Sequence, residues 1–486
     1  MCSSYQTTCR RRWRTCVADQ AVDARPAAPA RAAAGARRVA MVTLGCARNE
    51  VDSEELAERL HSAGWEISEQ VAGAEVVLVN TCGFVEQAKR DSIDTLLEVA
   101  DEGARVVAVG CMAERYGAEL AAVLPEATVL GFDDYADIDT RLTDIIAGRH
   151  FAAHTPRDRR TRLPIAPVAR AGVSLPTPGF APLGTRLIAR GASVPVKLAA
   201  GCDRRCAFCA IPSFRGSFVS RPPEAIITEV RGLPAQGVRE VVLVSENSTS
   251  YGKDLGDIRL LEKLLPQLGA VPGIEWVRVS YLQPAEMRPD LVAVIAGTPG
   301  VAAYFDLSFQ HASPQVLRRM RRFGGSAEFL DLIGQIRHAA PLAGLRSNVI
   351  VGFPGERPED VDELCEFLEA AELDAVGVFG YSDEEGTEAT HLPDHLDESE
   401  VRARVEQVSS LVDELMVQRA EDRVGDRGRV LVETVAPGGA EGRAEHQGPE
   451  DAATFVRTDI ELRVGDVIDV EFVATEGVDL IARQRP

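Results

Sequence analysis

Residues 201–209 read GCDRRCAFC, and this stretch decides how the rest of the chain is interpreted. Its cysteines, Cys202, Cys206 and Cys209, have the spacing CxxxCxxC, and no fourth cysteine lies nearby. A structural zinc ion or a closed iron–sulfur cluster is normally held by four protein ligands. Three thiolates leave one metal position open, so the stretch predicts a metal site that also binds a small molecule.

The stretch follows the first strand of an alternating series of strands and helices. Six short apolar segments are predicted as strands: 194–200, 240–245, 276–282, 303–309, 346–352 and 375–381. Each gap between them is long enough for a helix, which predicts a partial β/α barrel of six units. The active sites of such barrels form where the strands end, and Cys202 comes just after the first strand. The alternatives are a zinc knuckle that finds its fourth ligand elsewhere, or a chance triple.

A second set of three cysteines lies nearer the N-terminus. The segment 39–150 alternates strand and helix patterns, which predicts a doubly wound parallel sheet. The predicted strands are 39–45, 75–81 and 105–110. One cysteine directly follows each of them: Cys46, Cys82 and Cys111. Because the C-terminal ends of parallel strands share one edge, these thiols are predicted to converge on a second cluster; three unrelated buried cysteines are the alternative.

Both sets lie in sequences that are similar to a known family. GCDRRCAFC, with Phe208 before its last cysteine, resembles the radical S-adenosylmethionine signature. LGCARNEVDSE at 44–54 and NTCGFVEQAKRDS at 80–92 resemble the N-terminal domain of the methylthiotransferase family. The resemblance implies one [4Fe-4S] cluster on each set, with S-adenosylmethionine on the open iron of the first. It also implies that a radical allows a methylthio group to be inserted at an unactivated C–H bond.

The resemblance covers about residues 39–486 and divides the chain into segments. They are an N-terminal methylthiotransferase domain (39–150), a radical S-adenosylmethionine core (188–420) and a TRAM domain (421–486). Composition adds a linker rich in Pro, Gly and Arg (151–187) and an Ala/Arg/Pro-rich segment (1–38), which is predicted to be a disordered extension or the result of a start codon assigned too early. The TRAM segment has short strands separated by turn residues, which predicts a small antiparallel β-barrel. The extension also carries Cys2, Cys9 and Cys16, which are predicted to be incidental.

Several polar residues at predicted strand ends are candidates for cofactor contacts. Ser245, Glu246 and Asn247 follow the second barrel strand, and Gln310 follows the fourth. They are predicted to contact S-adenosylmethionine, with polar residues of a solvated loop as the alternative. Arg346 on the fifth strand is predicted to pair with the cofactor carboxylate. The segment 245–247 reads SEN where the family resemblance leads us to expect Ala-Gln-Asp, so these contacts are less well defined than the cysteines.

The substrate is predicted to be a protein. The methylthiotransferase family divides between enzymes that modify an adenosine in tRNA and one that modifies the β-carbon of an aspartate of ribosomal protein S12. FQHASPQVLRRMRR at 309–322 resembles the ribosomal-protein branch. Residues 421–486 carry fifteen acidic and eight basic side chains, which disfavours tRNA phosphate and suits a basic ribosomal protein, free or in the small subunit. A non-catalytic iron–sulfur or zinc protein that binds ribosomes is the alternative from another class.

Composition limits where the protein acts. The chain has 486 residues, 45% hydrophobic and 26% charged, with a net charge of −21, which is typical of a soluble multidomain protein. No apolar run approaches the roughly 18 residues that span a bilayer, and no apolar segment of a secretory signal follows the basic N-terminus. The predicted location is the cytoplasm, without a membrane partner. An electron donor such as flavodoxin or ferredoxin is a further expected partner.

Overall fold

The computed structural model describes most of the chain after residue 36. The described residues are 37–83, 85–164, 167–170, 177–181, 184, 186–188 and 191–485. Cys2, Cys9, Cys16 and nearly all of the predicted N-terminal extension lie outside them, but Arg38 already begins the first strand. Within the described ranges, no helix combines the length and apolarity needed to span a membrane.

The N-terminal part is a five-stranded parallel sheet. Its strands are β1 (Arg38–Thr43), β2 (Glu66–Ser68), β3 (Val76–Thr81), β4 (Arg105–Val109) and β5 (Ala127–Val129). Its helices are α1 (Ala47–Ser62), α2 (Glu86–Asp101), α3 (Gly110–Val123) and α4 (Ile138–Ile146). The strand order is β2-β1-β3-β4-β5, so the three strands that precede the cysteines are neighbours at the centre of the sheet.

Alternation along these strands produces a core on each face of the sheet. Val39 and Met41 belong to a cluster that also contains residues of α1 and α4. Ala40, between them, belongs to a second cluster that contains residues of α2 and α3. Helices therefore cover both faces, as the doubly wound prediction requires.

The central part is an open barrel of six main parallel strands. In chain order its strands are β6 (Ser193–Lys197), β7 (Ala199–Ala200), β8 (Val219–Ser220), β9 (Glu240–Val244), β10 (Trp276–Val279), β11 (Tyr304–Asp306), β12 (Gly344–Val351) and β13 (Ala375–Gly380). Its helices are α5 (Ile211–Arg215), α6 (Pro223–Gly232), α7 (Leu260–Gly269), α8 (Pro289–Gly297), α9 (Pro314–Arg319), α10 (Ser326–Ala339), α11 (Pro358–Ala371) and α12 (Glu398–Asp422).

The six main strands follow one another in space in the order β6-β9-β10-β11-β12-β13. Regular pairing joins the first three and the last three, and bridges at Val277–Val301 and Leu282–Leu307 join the two groups. The prediction of a six-unit barrel is confirmed. Its first predicted strand is interrupted, because β7 leaves the barrel and pairs antiparallel with β8 just before the cysteine loop.

The C-terminal part is a small closed barrel of five strands. They are β14 (Arg427–Ala436), β15 (Gly439–Ala444), β16 (Thr454–Arg457), β17 (Val467–Glu476) and β18 (Asp479–Gln484). Four of its five pairings are antiparallel, and β16 pairs with β18 in parallel. The sequence reading did not find β15, because GAEGRA lacks an alternating apolar pattern and is held as a strand by its two neighbours.

The C-terminal barrel packs on the beginnings of the central strands. Glu240, the first residue of β9, forms buried ion pairs with Arg278 of β10 and with Arg443 of β15. Trp276, the first residue of β10, packs with Leu431 of β14. The opposite end of the central barrel, where the strands end, is thus left for a site.

Candidate functional site

A cavity of about 260 Å³ opens at the ends of the central strands. Its lining includes Glu246 and Asn247 after β9, Tyr281 after β10, and Gln310 after β11. The cysteine loop between β7 and α5 forms another wall. Ligands of β/α folds bind at this end because the loops that follow the strands converge there.

The cysteine loop presents three free thiols at the cavity. Cys202, Cys206 and Cys209 all line it, and none of them forms a disulfide. Backbone hydrogen bonds fix the loop, since Cys202 N donates to Gly216 O at 3.0 Å and Cys209 N donates to Cys206 O at 3.2 Å. A preformed loop of this kind suits ligation of a cluster, because little chain entropy remains to be lost on binding.

The thiols at the ends of the N-terminal strands are linked by Asn49. Its Nδ2 donates to Leu44 O at 2.9 Å and to Thr81 O at 3.2 Å, just before Cys46 and Cys82 in the chain. Its Oδ1 accepts a hydrogen bond from the Cys111 thiol at 3.3 Å. One fully buried amide therefore connects the three loops that carry the three cysteines.

Arg215 connects the two cysteine sets. It ends α5, the short helix that follows Cys209, and its Nη2 donates to Cys111 Sγ at 3.0 Å and to Asn49 Oδ1 at 2.9 Å. The same nitrogen lies 2.9 Å from Asp52 Oδ2. The loop of the central barrel is thus bonded to the N-terminal set, and the two sets belong to one rigid framework.

Burial controls the protonation of these thiols. It raises the pKa of Cys111 to about 11 and that of Cys209 to about 12, and it raises the pKa of Cys202 well above its usual value. Burial acts on Cys46 in the same direction, but Arg48 and Arg215 outweigh it and lower the pKa of Cys46. Because a metal binds the thiolate, loading either set with iron must release protons.

Comparison with known proteins places the chain in a family. Residues 38–131 match the model described as uncharacterized protein family UPF0004, residues 196–368 match the radical SAM superfamily, and residues 424–484 match the TRAM domain. A protein of Saccharopolyspora erythraea named ribosomal protein uS12 methylthiotransferase RimO is 62% identical over 92% of this chain and 95% of its own length. A Nocardioides protein of the same name is 61% identical over 92% of this chain and 96% of its own. The chain belongs to the RimO family.

A solved structure shares the fold of this RimO family member at low sequence identity. It is the radical S-adenosylmethionine methyltransferase TsrM from Kitasatospora setae, with cobalamin and a [4Fe-4S] cluster bound. The TM-score is 0.52 at 16% identity, and the match covers 84% of this chain and 80% of that one. The likeness shows that the fold is shared over most of both chains.

Three of the five predicted cofactor contacts lie on the cavity, namely Glu246, Asn247 and Gln310. Ser245 does not, because its hydroxyl is used within the turn, where it bonds the Ser248 hydroxyl at 3.0 Å and accepts from Asn247 N at 3.1 Å. Ser245 comes directly after β9 (Glu240–Val244), at the start of this turn.

Arg346 lies nearer the other end of the barrel than the cavity. It is the third residue of β12, close to where that strand begins, and it pairs with Glu450 at 2.9 Å and Asp451 at 3.2 Å. The structure therefore places Arg346 against the C-terminal barrel and not at the cofactor site. The sequence pattern predicted the strand, but it did not show that Arg346 lies near the beginning of the strand and not near its end.

The sequence reading missed the cations of the cavity and Tyr281, and it named Gln310 without its backbone strain. Arg48, Arg204 and Arg322 line the cavity but come from three different segments. Tyr281 and Gln310 have positive φ angles of 62° and 72°, a costly backbone state for residues other than glycine. The dipeptides AR and RR around the cysteines carried the only local signal for two of these arginines.

The two thiol sets suit a cluster better than a single ion. Among the described residues, no three His, Cys, Asp or Glu side chains converge closely enough to hold one metal ion. In a cubane each thiolate binds a separate iron, so the sulfur atoms need not meet at one point. Free thiols in threes, with arginines beside them to offset the negative charge of a cluster, fit this group.

Proposed function

We propose that this chain attaches a methylthio group to an aspartate of ribosomal protein uS12. Its cofactors are two [4Fe-4S] clusters and S-adenosylmethionine, as in the RimO and radical SAM families to which it belongs. The observation that carries the proposal is the Asn49–Arg215 connection, which joins the N-terminal thiol set to the helix that follows the thiol set lining the cavity. A reaction that needs a radical at one cluster and sulfur at another requires such a shared framework.

The cysteines would hold the clusters. Cys202, Cys206 and Cys209 are proposed for the cluster that binds S-adenosylmethionine, and Cys46, Cys82 and Cys111 for the second cluster. When bound, these groups supply the radical that removes a hydrogen atom from the substrate, together with the sulfur and methyl group that replace it. The chain itself contributes position and the exclusion of water, through apolar walls that include Phe208, Ile350 and Phe379.

Glu246 and Asn247 are suited to orient the cofactor. Glu246 is buried, and neither of its carboxylate oxygens has a hydrogen-bond partner among the described residues. Its charge is paired with Arg215, whose Nε lies 3.7 Å from Oε1, but its oxygens keep their hydrogen-bonding capacity and would accept from the amino group of S-adenosylmethionine. Asn247 is fixed by Nδ2 bonds of 2.9 Å to Ser250 and to Glu286, so its position at the cavity is defined before any ligand arrives. Gln310 is proposed as a third contact.

The remaining partners follow from this chemistry. Cleavage of S-adenosylmethionine consumes an electron, for which a flavodoxin or a ferredoxin is proposed as the donor. The proposed site of action is the cytoplasm, where uS12 is either free or assembled in the small ribosomal subunit.

The test combines iron analysis with mass spectrometry of uS12 in a strain that lacks this gene. The wild-type gene should restore the methylthio mass on the uS12 peptide. Cys202→Ala and Cys46→Ala should each lose the iron of one cluster and restore nothing. Cys365→Ala is the matched control, because Cys365 is a free cysteine on α11 outside both sets.

Three results would contradict the proposal. They are a uS12 modification that persists without the gene, loss of a methylthio group from tRNA adenosine with uS12 unchanged, and zinc in place of iron in the anaerobically purified chain.

A further inference from the structure

Three arginines line the cavity, and two of them are already engaged. Arg204 Nη2 lies 2.8 Å from Glu286 Oε1. Arg322 Nη2 donates to Gln283 Oε1 at 2.6 Å and also to Ser308 O. Arg48 differs, because within the described part of the chain its terminal nitrogens make neither a hydrogen bond nor an ion pair. A cation at a cavity with free donors is a site for an anion.

The Arg48 guanidinium is nevertheless held in place. Its Nε donates to Cys46 Sγ at 3.3 Å, and its Cζ lies over the Tyr281 ring at 4.6 Å from the centroid. Stacking on an aromatic ring and a bond through Nε leave the two terminal nitrogens as a preorganised fork. Such a fork matches the two oxygens of a carboxylate.

Arg48 lies between the two cysteine sets. Its Nε bonds Cys46 of the N-terminal set, and its side chain lines the same cavity as Cys202, Cys206 and Cys209 of the barrel set. A substrate carbon that meets both clusters has to occupy this region. An aspartate carries its carboxylate on the carbon that reacts, so an anion binder here would fix the position of that carbon.

We propose that Arg48 binds the side-chain carboxylate of the substrate aspartate and thereby selects aspartate and positions its β-carbon between the two cysteine sets. The inference rests on the proposed function and specifies which residue recognises the substrate aspartate. Arg48 follows Cys46 on α1, whereas Glu246 on the barrel side offers an acceptor to a cation. The cavity therefore pairs a donor for an anion with an acceptor for an ammonium group, which are the two charges that the substrate and the cofactor bring.

The experiment measures selectivity between two peptides with the full-length, cluster-loaded chain. One peptide has the uS12 sequence around the aspartate, and the other has asparagine at that position. Wild type should bind the aspartate peptide roughly 30-fold or more tightly, since loss of one partner of a buried charge pair costs at least about 2 kcal/mol. Arg48→Gln should reduce this ratio to near one, and Arg48→Lys should keep part of it.

Arg204→Gln is the matched control, because it removes a cavity arginine whose charge is already paired. It should leave the aspartate-to-asparagine ratio unchanged, even if it alters affinity for both peptides. Tyr281→Leu is a second variant that removes the stacking surface without touching the Cys46 bond. It should lower the ratio even if Arg48→Gln loads iron poorly.

The readouts separate this inference from the proposed function. An unchanged ratio in Arg48→Gln and Tyr281→Leu, or no discrimination by wild type, would overturn the role of Arg48. Loss of affinity for S-adenosylmethionine with intact peptide selectivity would assign the arginine to the cofactor carboxylate and also overturn it. Selective binding of the aspartate peptide by wild type without any methylthio product would instead contradict the proposed function alone.

Discussion

Asn49 shows how much of the site depends on one residue. Its side chain bonds the loops before Cys46 and Cys82 and accepts from the Cys111 thiol, while Arg215 reaches it from the barrel. The contacts with Thr81 O and the Cys111 thiol are buried, so an unmet partner there costs about 1–3 kcal/mol. The residue is thus a positioning residue for the N-terminal set.

Asn49→Ala is expected to lose iron from the N-terminal set selectively. Without the amide, the Leu44 and Thr81 carbonyls lose this donor. The three cysteine loops are then no longer connected by one side chain, so the thiols lose their relative positions. Iron and sulfide content should fall toward that of one cluster, while cleavage of S-adenosylmethionine without substrate should continue. Asn80→Ala is the control, since Asn80 is also a buried amide but donates only to Asn49 O and Ser53 Oγ. If both variants lose iron equally, the effect is general destabilisation.

At the scale of single residues, the sequence predicted those candidate site residues that a local pattern marks. The six cysteines could be found because each follows a recognisable strand or shares a short motif. Arg48 and Tyr281 could not be paired, because one belongs to the first domain and the other to the barrel, and their contact exists only once the two domains pack. The position of Arg346 was missed for a related reason, since its partners Glu450 and Asp451 lie about a hundred residues away.

At the scale of elements, the strand-to-helix turns of the N-terminal sheet bring backbone and thiol very close together. Gly45 precedes Cys46 with a φ of +93°, and a Cβ there would lie 2.8 Å from Cys82 Cβ and 2.9 Å from Cys82 Sγ. The periodicity of β1 predicted where this turn falls, but only the packing of β1 beside β3 shows why the residue must be glycine.

Gly45→Ala is expected to displace Cys82 and to deplete the N-terminal set of iron. Gly64→Ala is an unusually close control, because Gly64 has a φ of +89° and no atom within 4 Å of the added Cβ. Both variants pay the left-handed penalty of about 1–2 kcal/mol, but only the first adds a steric clash with a thiol. Urea unfolding should show that both variants lose at least this much free energy of unfolding. Iron content should distinguish them, because only Gly45→Ala is expected to lose iron. Equal iron content in the two variants would contradict the argument.

At the scale of the whole molecule, the two ends of the central barrel have separate tasks. The C-terminal barrel closes the end where the strands begin, through the Arg278–Glu240–Arg443 cluster. The barrel cysteine set lines the cavity at the other end, and Arg215 bonds the N-terminal set from there. Sequence patterns predicted both barrels but not their contact, because a buried arginine in β15 reads locally as a solvated charge. Resemblance to a family supplied the order of the parts, and the ion pairs show how they are joined.

This contact predicts a defined dependence of stability on pH. Burial alone would raise the pKa of Glu240, but Arg443 and Arg278 outweigh it and lower that pKa from 4.5 to about 2. A carboxylate whose pKa is lower in the folded state stabilises the fold above the unfolded pKa and loses that contribution as pH falls toward the folded value. Between pH 4.5 and 2 the cluster-free, full-length chain should therefore lose about 3 kcal/mol of unfolding free energy through this group.

Glu240→Gln should be less stable at pH 7, because two buried arginines lose their partner, and its stability should fall less steeply over the acid range. Urea titrations at a series of pH values measure both effects. Glu461→Gln, which changes an exposed carboxylate of the C-terminal barrel, is the control that should retain the wild-type slope. An acid slope in Glu240→Gln equal to that of wild type would show that another group controls the contact between the two barrels.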